Sequence, residues 1–308
     1  MRPATHGTVL IALAIALIPP AAPIAQEPEA RLLEIDLVAV DRDGHTVDDL
    51  KPGDLEVWIG GYRVPVHSLE AVTPASSDAG RVIVLLLDDL TLDPTMVARA
   101  RQVATRFVTR IMPEDRMAVV TLNGGMMPLT SDPSRLRSRI DDWRMSLGVI
   151  TIDRLGEQLL RVVDAVARSL IEVPGKRKTI VAIGSGWLLD TPVPPAQIGR
   201  NLRREWDDAI RSLAVADASY YVIDPRGVGA SRPRAGEGFA REAGGYAFVN
   251  TNDLNGAADR VLREAGNYYL VRVGDPPVGQ KSPLRELDVR STRKGITIHA
   301  RRAIPGGG

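Results

Sequence analysis

A doubly wound, mostly parallel α/β sheet carrying a small all-β module is the fold class this sequence predicts. Three observations point to it. Between residues 82 and 265, short apolar runs alternate with helical stripes; this is the pattern of a parallel sheet covered on both faces. Before residue 73 and after residue 266, apolar residues instead recur with period two, as in half-buried strands. The composition, 44% apolar and 25% charged over 308 residues, is that of a folded globular chain.

The opening segment 33–40 alternates Leu33, Ile35 and Leu37 with Glu34 and Asp36, so Glu34 and Asp36 are predicted to face solvent. Asp41-Arg42-Asp43-Gly44 reads as a turn. Residues 55–59 and 62–66 flank Gly60-Gly61 and predict a hairpin, with Pro65 marking an edge. Residues 73–80 read as a linker. Val82 to Leu87 is continuously apolar, as in a strand buried on both faces. Asp93-Pro94 reads as a helix cap followed by proline in the first turn, and Val97, Ala100, Val103, Ala104, Phe107, Val108 and Ile111 form a helical stripe. Further strands are predicted at 117–122, 179–183, 219–223 and 246–249. Further helices are predicted at 133–145, 155–170, 195–213, 235–243 and 253–265. The chain then returns to strands at 268–273, 287–291 and 296–300. An isolated hairpin is marginal in water, so the opening and closing strands are expected to pair in one module with the α/β domain inserted between them.

The predicted division is a leader over 1–25, the first part of the β module over 26–72, the α/β domain over 80–265, the second part of the β module over 266–303 and a tail over 304–308. The leader rests on Arg2, the apolar run Val9 to Ile18 and the small residues ending at Ala25. A run of about ten residues is short for a membrane span, and the order of charge, apolar run and small residues is that of a secretory signal. Export, to the periplasm or the medium, is the expectation, with no membrane span in the mature chain.

Lys plus Arg number 39 and Asp plus Glu 38, for a net charge of +1; no global field favours nucleic acid. There are no cysteines, which removes disulfides, thiolate metal sites and a cysteine nucleophile. The four histidines, His6, His45, His67 and His299, form no metal-binding pair in sequence. The basic residues of 281–302 are expected to lie on solvated outer faces of edge strands, where they discourage aggregation. Within each of the pairs Tyr220-Tyr221 and Tyr268-Tyr269, one ring is expected to point inward and one outward.

Three stretches together resemble the exported bacterial VWFA-related proteins, which carry a von Willebrand factor type A domain. They are VDRDGHTVDDLKPGDLEVWIGGYRVPVHSLEAV (40–72), VIVLLLDDLTLDP (82–94) and FAREAGGYAFVNTNDLNGAADRVLREAGNYYLVRV (239–273). The resemblance implies a von Willebrand factor A-like sheet, a protein-binding role and a divalent cation at the carboxyl ends of the strands. The family pattern for that cation is D-x-S-x-S after the first strand, a later Thr, and an Asp after the fourth strand. Asp88 matches the first Asp, but Leu90 and Leu92 stand at the two Ser positions, and Ser185 stands where the later Asp is expected. The remaining candidate ligands are Asp88, Asp89, Thr91 and Thr151. Mg²⁺ requires six oxygens and sheds water reluctantly, so this degenerate site is expected to bind it weakly, and no cofactor is expected.

Catalytic patterns match poorly. Gly184-Ser185-Gly186 lacks the first glycine of a nucleophile elbow. Asp88-Asp89-Leu90-Thr91 places its second acid one residue too early for a phosphoryl-transfer aspartate motif. The expectation is therefore a non-enzymatic, exported module that binds a protein partner of the cell envelope or outside the cell. The alternative is a hydrolase or phosphoryl-transfer enzyme built on Asp88 and Asp89.

Overall fold

The computed structural model of this chain describes residues 32–74, 80–146, 152–175, 177–185, 200–229, 236–276 and 283–306. The leader at 1–25, most of the linker and Thr151 lie outside the described residues.

A six-stranded sheet forms the centre of the α/β part. In chain order its strands are β5 (Val82–Leu87), β6 (Arg116–Thr121), β7 (Gly125–Met126), β8 (Lys178–Ile183), β9 (Ala218–Ile223) and β10 (Ala247–Phe248). They lie in the order β10-β9-β8-β5-β6-β7, parallel throughout except for β7. This is the doubly wound order with an antiparallel edge strand. All six residues of β5 are buried, because alternate side chains enter two different cores. Val82, Val84 and Leu86 pack with α3 (Ile152–Leu170), α4 (Arg200–Val215) and α5 (Glu237–Glu242). Ile83, Leu85 and Leu87 pack with α1 (Val97–Val108), α2 (Pro133–Asp141) and α6 (Leu254–Gly266). Asp93 caps the entry to α1, accepting from the Thr95 N–H at 2.8 Å, and Asp132 and Asp253 do the same for α2 and α6.

The terminal segments build two further sheets. The first has the order β13-β1-β11-β4 and the second β14-β12-β2-β3. The N-terminal strands are β1 (Leu32–Val40), β2 (Leu55–Ile59), β3 (Tyr62–Val64) and β4 (Val66–Val72). The C-terminal ones are β11 (Tyr268–Gly274), β12 (Leu284–Ser291), β13 (Thr297–Ala300) and β14 (Ala303–Pro305). Strand β11 lies between β1 and β4, in register from Leu32↔Gly274 to Leu37↔Tyr269, and β12 lies between β2 and β14. N- and C-terminal strands are thus interleaved in both sheets. Ile35, Leu37, Val57, Ile59, Val271 and Val273 share one core between them.

Four expectations are corrected. The tail expected at 304–308 begins as strand: β14 pairs with Leu284–Glu286, and Ile304 is buried. Asp36 does not face solvent but is buried against the α/β part. Arg285 and Arg301, expected on solvated faces, are each 5% exposed and held in ion pairs. Tyr220 and Tyr221 are both fully buried, because helices cover both faces of the sheet there.

Charged side chains tie the β sheets to the α/β part. Asp36 on β1 is ion-paired with Arg177, which leads into β8, and lies 2.7 Å from Arg301, which follows β13. Arg301 also reaches Asp217, ahead of β9, at 2.9 Å. Arg177 donates to the Tyr221 hydroxyl at 3.2 Å, and that hydroxyl donates to Glu264 at 2.9 Å. Arg260 holds the other Glu264 oxygen at 2.9 Å, and His299 of β13 lies 3.5 Å away. Burial opposes ionisation of Glu264, yet His299 and Arg260 hold its carboxyl down at about 2. Its folded value lies below its unfolded one, so its stabilising contribution is present above about pH 4.5 and is lost as pH falls toward 2. Glu264→Gln is expected to flatten this acid limb in urea melts between about pH 5 and 2, a difference on the order of 3 kcal/mol at neutral pH.

Candidate functional site

The carboxyl ends of β5, β8 and β9 converge at one end of the sheet, where open α/β sheets place their ligand sites. Asp88 follows β5, and its N–H continues the ladder to the Ile183 carbonyl at 3.2 Å. Its carboxylate is closed in by its own loop. One oxygen accepts from the Leu90 N–H at 3.1 Å and the Thr91 N–H at 2.8 Å. The other accepts from the Thr91 hydroxyl, which lies 2.7 Å from the Ser185 hydroxyl. Gly184 makes room for this arrangement: a Cβ there would stand 2.4 Å from the Asp88 Cβ.

The structure thus brings Asp88, Thr91 and Ser185 together. Asp89 belongs to a different neighbourhood. Its carboxylate accepts from the Asn123 N–H at 3.2 Å, and its carbonyl accepts from the Ser146 N–H at 2.7 Å. Thr151 lies outside the described residues. Leu90 packs on the core beneath α3 and α4, and Leu92 is buried in the core beneath α1 and α6.

Two residues of the site were missed in the sequence. Asp224, fully buried at the end of β9, is held by Arg226 through both carboxylate oxygens, at 2.7 to 3.1 Å. The same guanidinium lies 3.4 Å from the Ser185 carbonyl. The signal was Asp224-Pro225-Arg226-Gly227 directly after an apolar strand.

These residues do not fit a divalent cation. The acid at the end of β9 is already neutralised by a guanidinium, and both Asp88 oxygens are engaged by donors of the adjacent loop. Burial pushes the Asp88 carboxyl up, against the opposing hydrogen bonds, and burial likewise pushes Asp89 up. Among the described residues, one trio has potential ligand atoms close together, Asp41, Asp43 and His45. It is the turn after β1, where Asp41 accepts from the N–H groups of Asp43 and His45 at 2.9 and 2.8 Å.

The buried charge of Asp88 has a measurable consequence. Asp88→Asn keeps an oxygen for the two N–H donors and an amide for Thr91, and removes the charge. It is expected to raise Tm by a few degrees at neutral pH, on the order of 1 kcal/mol. Because the folded value is raised, the cost of the charge appears only above the unfolded value, and the gain should vanish as pH falls toward 4. Mg²⁺ or Mn²⁺ at about 5 mM should leave Tm unchanged in both proteins. A metal-dependent rise in Tm in the wild type, lost in Asp88→Asn, would restore the cation site.

No family model matches the sequence, and no curated protein matches it. Solved structures do. The chain is similar to an aerotolerance-related membrane protein from Bacteroides fragilis, at 16% identity over 60% of this chain and 98% of that one, with a TM-score of 0.44. It is similar to a mutant of the PilB minor pilin from Streptococcus sanguinis, at 9% identity over 61% of this chain and 62% of that one, with a TM-score of 0.44. It is also similar to the SpRpn10 VWA domain, at 12% identity over 59% of this chain and 94% of that one, with a TM-score of 0.37. These likenesses concern the fold alone. The strand order and the helices on both faces define the class, a von Willebrand factor A-like α/β sheet with an added β module. Among the described residues, no helix is long and apolar enough to cross a membrane.

Proposed function

We propose that this chain is an exported, non-enzymatic protein-binding module whose recognition face is the carboxyl end of the six-stranded sheet and needs no divalent cation. The observation that carries this reading is the closed chain Asp88–Thr91–Ser185 beside the Asp224–Arg226 pair. It occupies both Asp88 oxygens with donors of the adjacent loop and pairs Asp224 with a guanidinium, which disfavours a metal there. Asp88 and Asp89 have separate partners, which weakens a two-carboxylate enzyme. What the face does present is Val228, 63% exposed between Gly227 and Gly229.

Affinity capture from envelope extract of the source cell tests this reading, with Val228→Asp as the comparison. A partner retained by the wild type in EDTA and lost by the variant is expected. Capture that requires Mg²⁺ would overturn the metal-free reading. Turnover of generic ester or phosphate substrates, lost in Asp88→Ala, would overturn the non-enzymatic one and favour a hydrolase or phosphoryl-transfer activity at Asp88.

A further inference from the structure

A cleft of about 420 Å³ opens where α5 and β10 meet the closing strands, away from the carboxyl ends of the sheet. That volume lies within the range of small-molecule sites, and junctions between structural units are where such sites concentrate. Its two sides are fastened together. Ala243 forms a bridge with Arg301, and the Arg302 N–H donates to the Glu242 carbonyl at 2.9 Å. These bonds bring Arg241, Arg301 and Arg302 to one lining.

The charges do not cancel. Arg241 and Arg302 are exposed, and neither guanidinium has an acid partner among the described residues. Arg301 is 5% exposed; it directs Nη2 to Asp36 and Asp217, while its Nη1 has no hydrogen-bond partner among the described residues. Two acids share the lining. Asp288 is paired with Arg290 at 2.5 Å, and Glu237 opens the first turn of α5. His299, on the same lining, lies 3.5 Å from Glu264.

The aromatic wall is held in place. The Tyr246 ring stacks on His299, with centroids 5.8 Å apart and planes 10° apart, and Arg260 lies 5.1 Å from its centroid. A preformed wall lowers the ordering cost of binding. Planar guanidinium groups match carboxylate and phosphate oxygens in bidentate geometry.

We propose that this cleft binds a small multivalent oxyanion, a polycarboxylate or polyphosphate, gripped by Arg241 and Arg302 in front of the buried Arg301. Isothermal titration of the purified protein with citrate and with pyrophosphate, against sodium chloride of equal ionic strength, tests it. Saturable binding with a Kd below about 1 mM is expected for at least one of the two. Citrate alone would identify a carboxylate ligand and pyrophosphate alone a phosphate ligand. The double variant Arg241→Ala/Arg302→Ala should weaken binding at least tenfold. Both side chains are exposed, so its unliganded Tm should stay within about 2 °C of wild type. The single variant Arg302→Glu provides a second readout should the double variant fold poorly, and it too should bind at least tenfold more weakly. No saturable binding of either probe, or equal binding by the variants, would overturn the proposal.

Discussion

Asp36→Ala is expected to destabilise the protein by about 3–5 kcal/mol, the usual cost of leaving a buried ionic partner uncompensated. Asp36 is the acid shared by Arg177 and Arg301, and all three side chains are at most 5% exposed. Burial opposes its ionisation, but Arg301 and Arg177 together hold its carboxyl below the ordinary carboxylate range. Without it Arg301 keeps Asp217, whereas Arg177 keeps hydrogen bonds to the neutral Tyr221 hydroxyl and the Gly244 carbonyl, the Tyr268 ring and the more distant Glu264 carboxylate, but no direct ion pair among the described residues. The loss should fall on the junction between β1 and the α/β part. Thermal and urea melts would measure it, with Tm expected to drop by about 10 °C. Arg177→Met should cost less than Asp36→Ala, because Asp36 then retains Arg301. A loss below about 1 kcal/mol in Asp36→Ala would mean that the two parts are held together mainly by their apolar contacts.

Gly245→Ala should be comparably damaging. A Cβ at Gly245 would lie 2.0 Å from the Tyr220 carbonyl oxygen and 2.7 Å from its carbon. Those atoms belong to the central strand β9, so they cannot rotate away as the end of a side chain could. Strand β10 must therefore shift outward, and with it the Tyr246 carbonyl that accepts from the Val222 N–H at 3.1 Å. Overpacking of this kind costs about 1–3 kcal/mol, and more where backbone must move; about 3 kcal/mol is expected here by urea unfolding. Gly244 is constrained for a second reason: its φ is +76°, and an added Cβ would meet the Arg301 nitrogen at 2.7 Å. The pair Gly244-Gly245 thus sets how closely the segment entering β10 approaches both the sheet and the closing strands. A normal melt for Gly245→Ala would show that β10 has freedom the packing denies.

The oxyanion cleft and the proposed recognition face depend on different residues. The cleft uses the junction of α5 with the closing strands, where Arg302 and Arg241 meet. The face uses the loops after β5, β8 and β9. Val228→Asp and Arg302→Glu therefore test separate surfaces of one body.

Much of the fold is legible in local patterns. Val82 to Leu87 announces a strand covered on both sides, because a polar residue on either face would be buried without a partner. Asp93-Pro94 marks a helix start, because proline gives up only an N–H that the first turn leaves unbonded anyway. At the candidate site, the loss of the ligand pattern at Leu90, Leu92 and Ser185 is likewise plain in the sequence, since a leucine side chain has no oxygen to offer.

Tertiary structure alone decided where the charges went. Period-two alternation told which residues share a face of β1, but not that a second layer covers the face carrying Asp36. The partners of Asp36 lie 141 and 265 residues further along the chain, at Arg177 and Arg301, so no local window contains them. The same separation hid the fate of Arg301, which composition alone assigned to solvent. It also hid the strand at Ala303–Pro305, which exists because β12 offers it an edge. At the sheet end, sequence placed Asp88, Asp89 and Thr91 in one list of ligands; the three-dimensional loop separates Asp89 from the others and closes Asp88 on Thr91 and Ser185. Local periodicity and turn chemistry depend on bonds within a few residues and can be read in order. Ion pairing, burial and site geometry depend on which distant segments meet, and that is settled only when the sheets close.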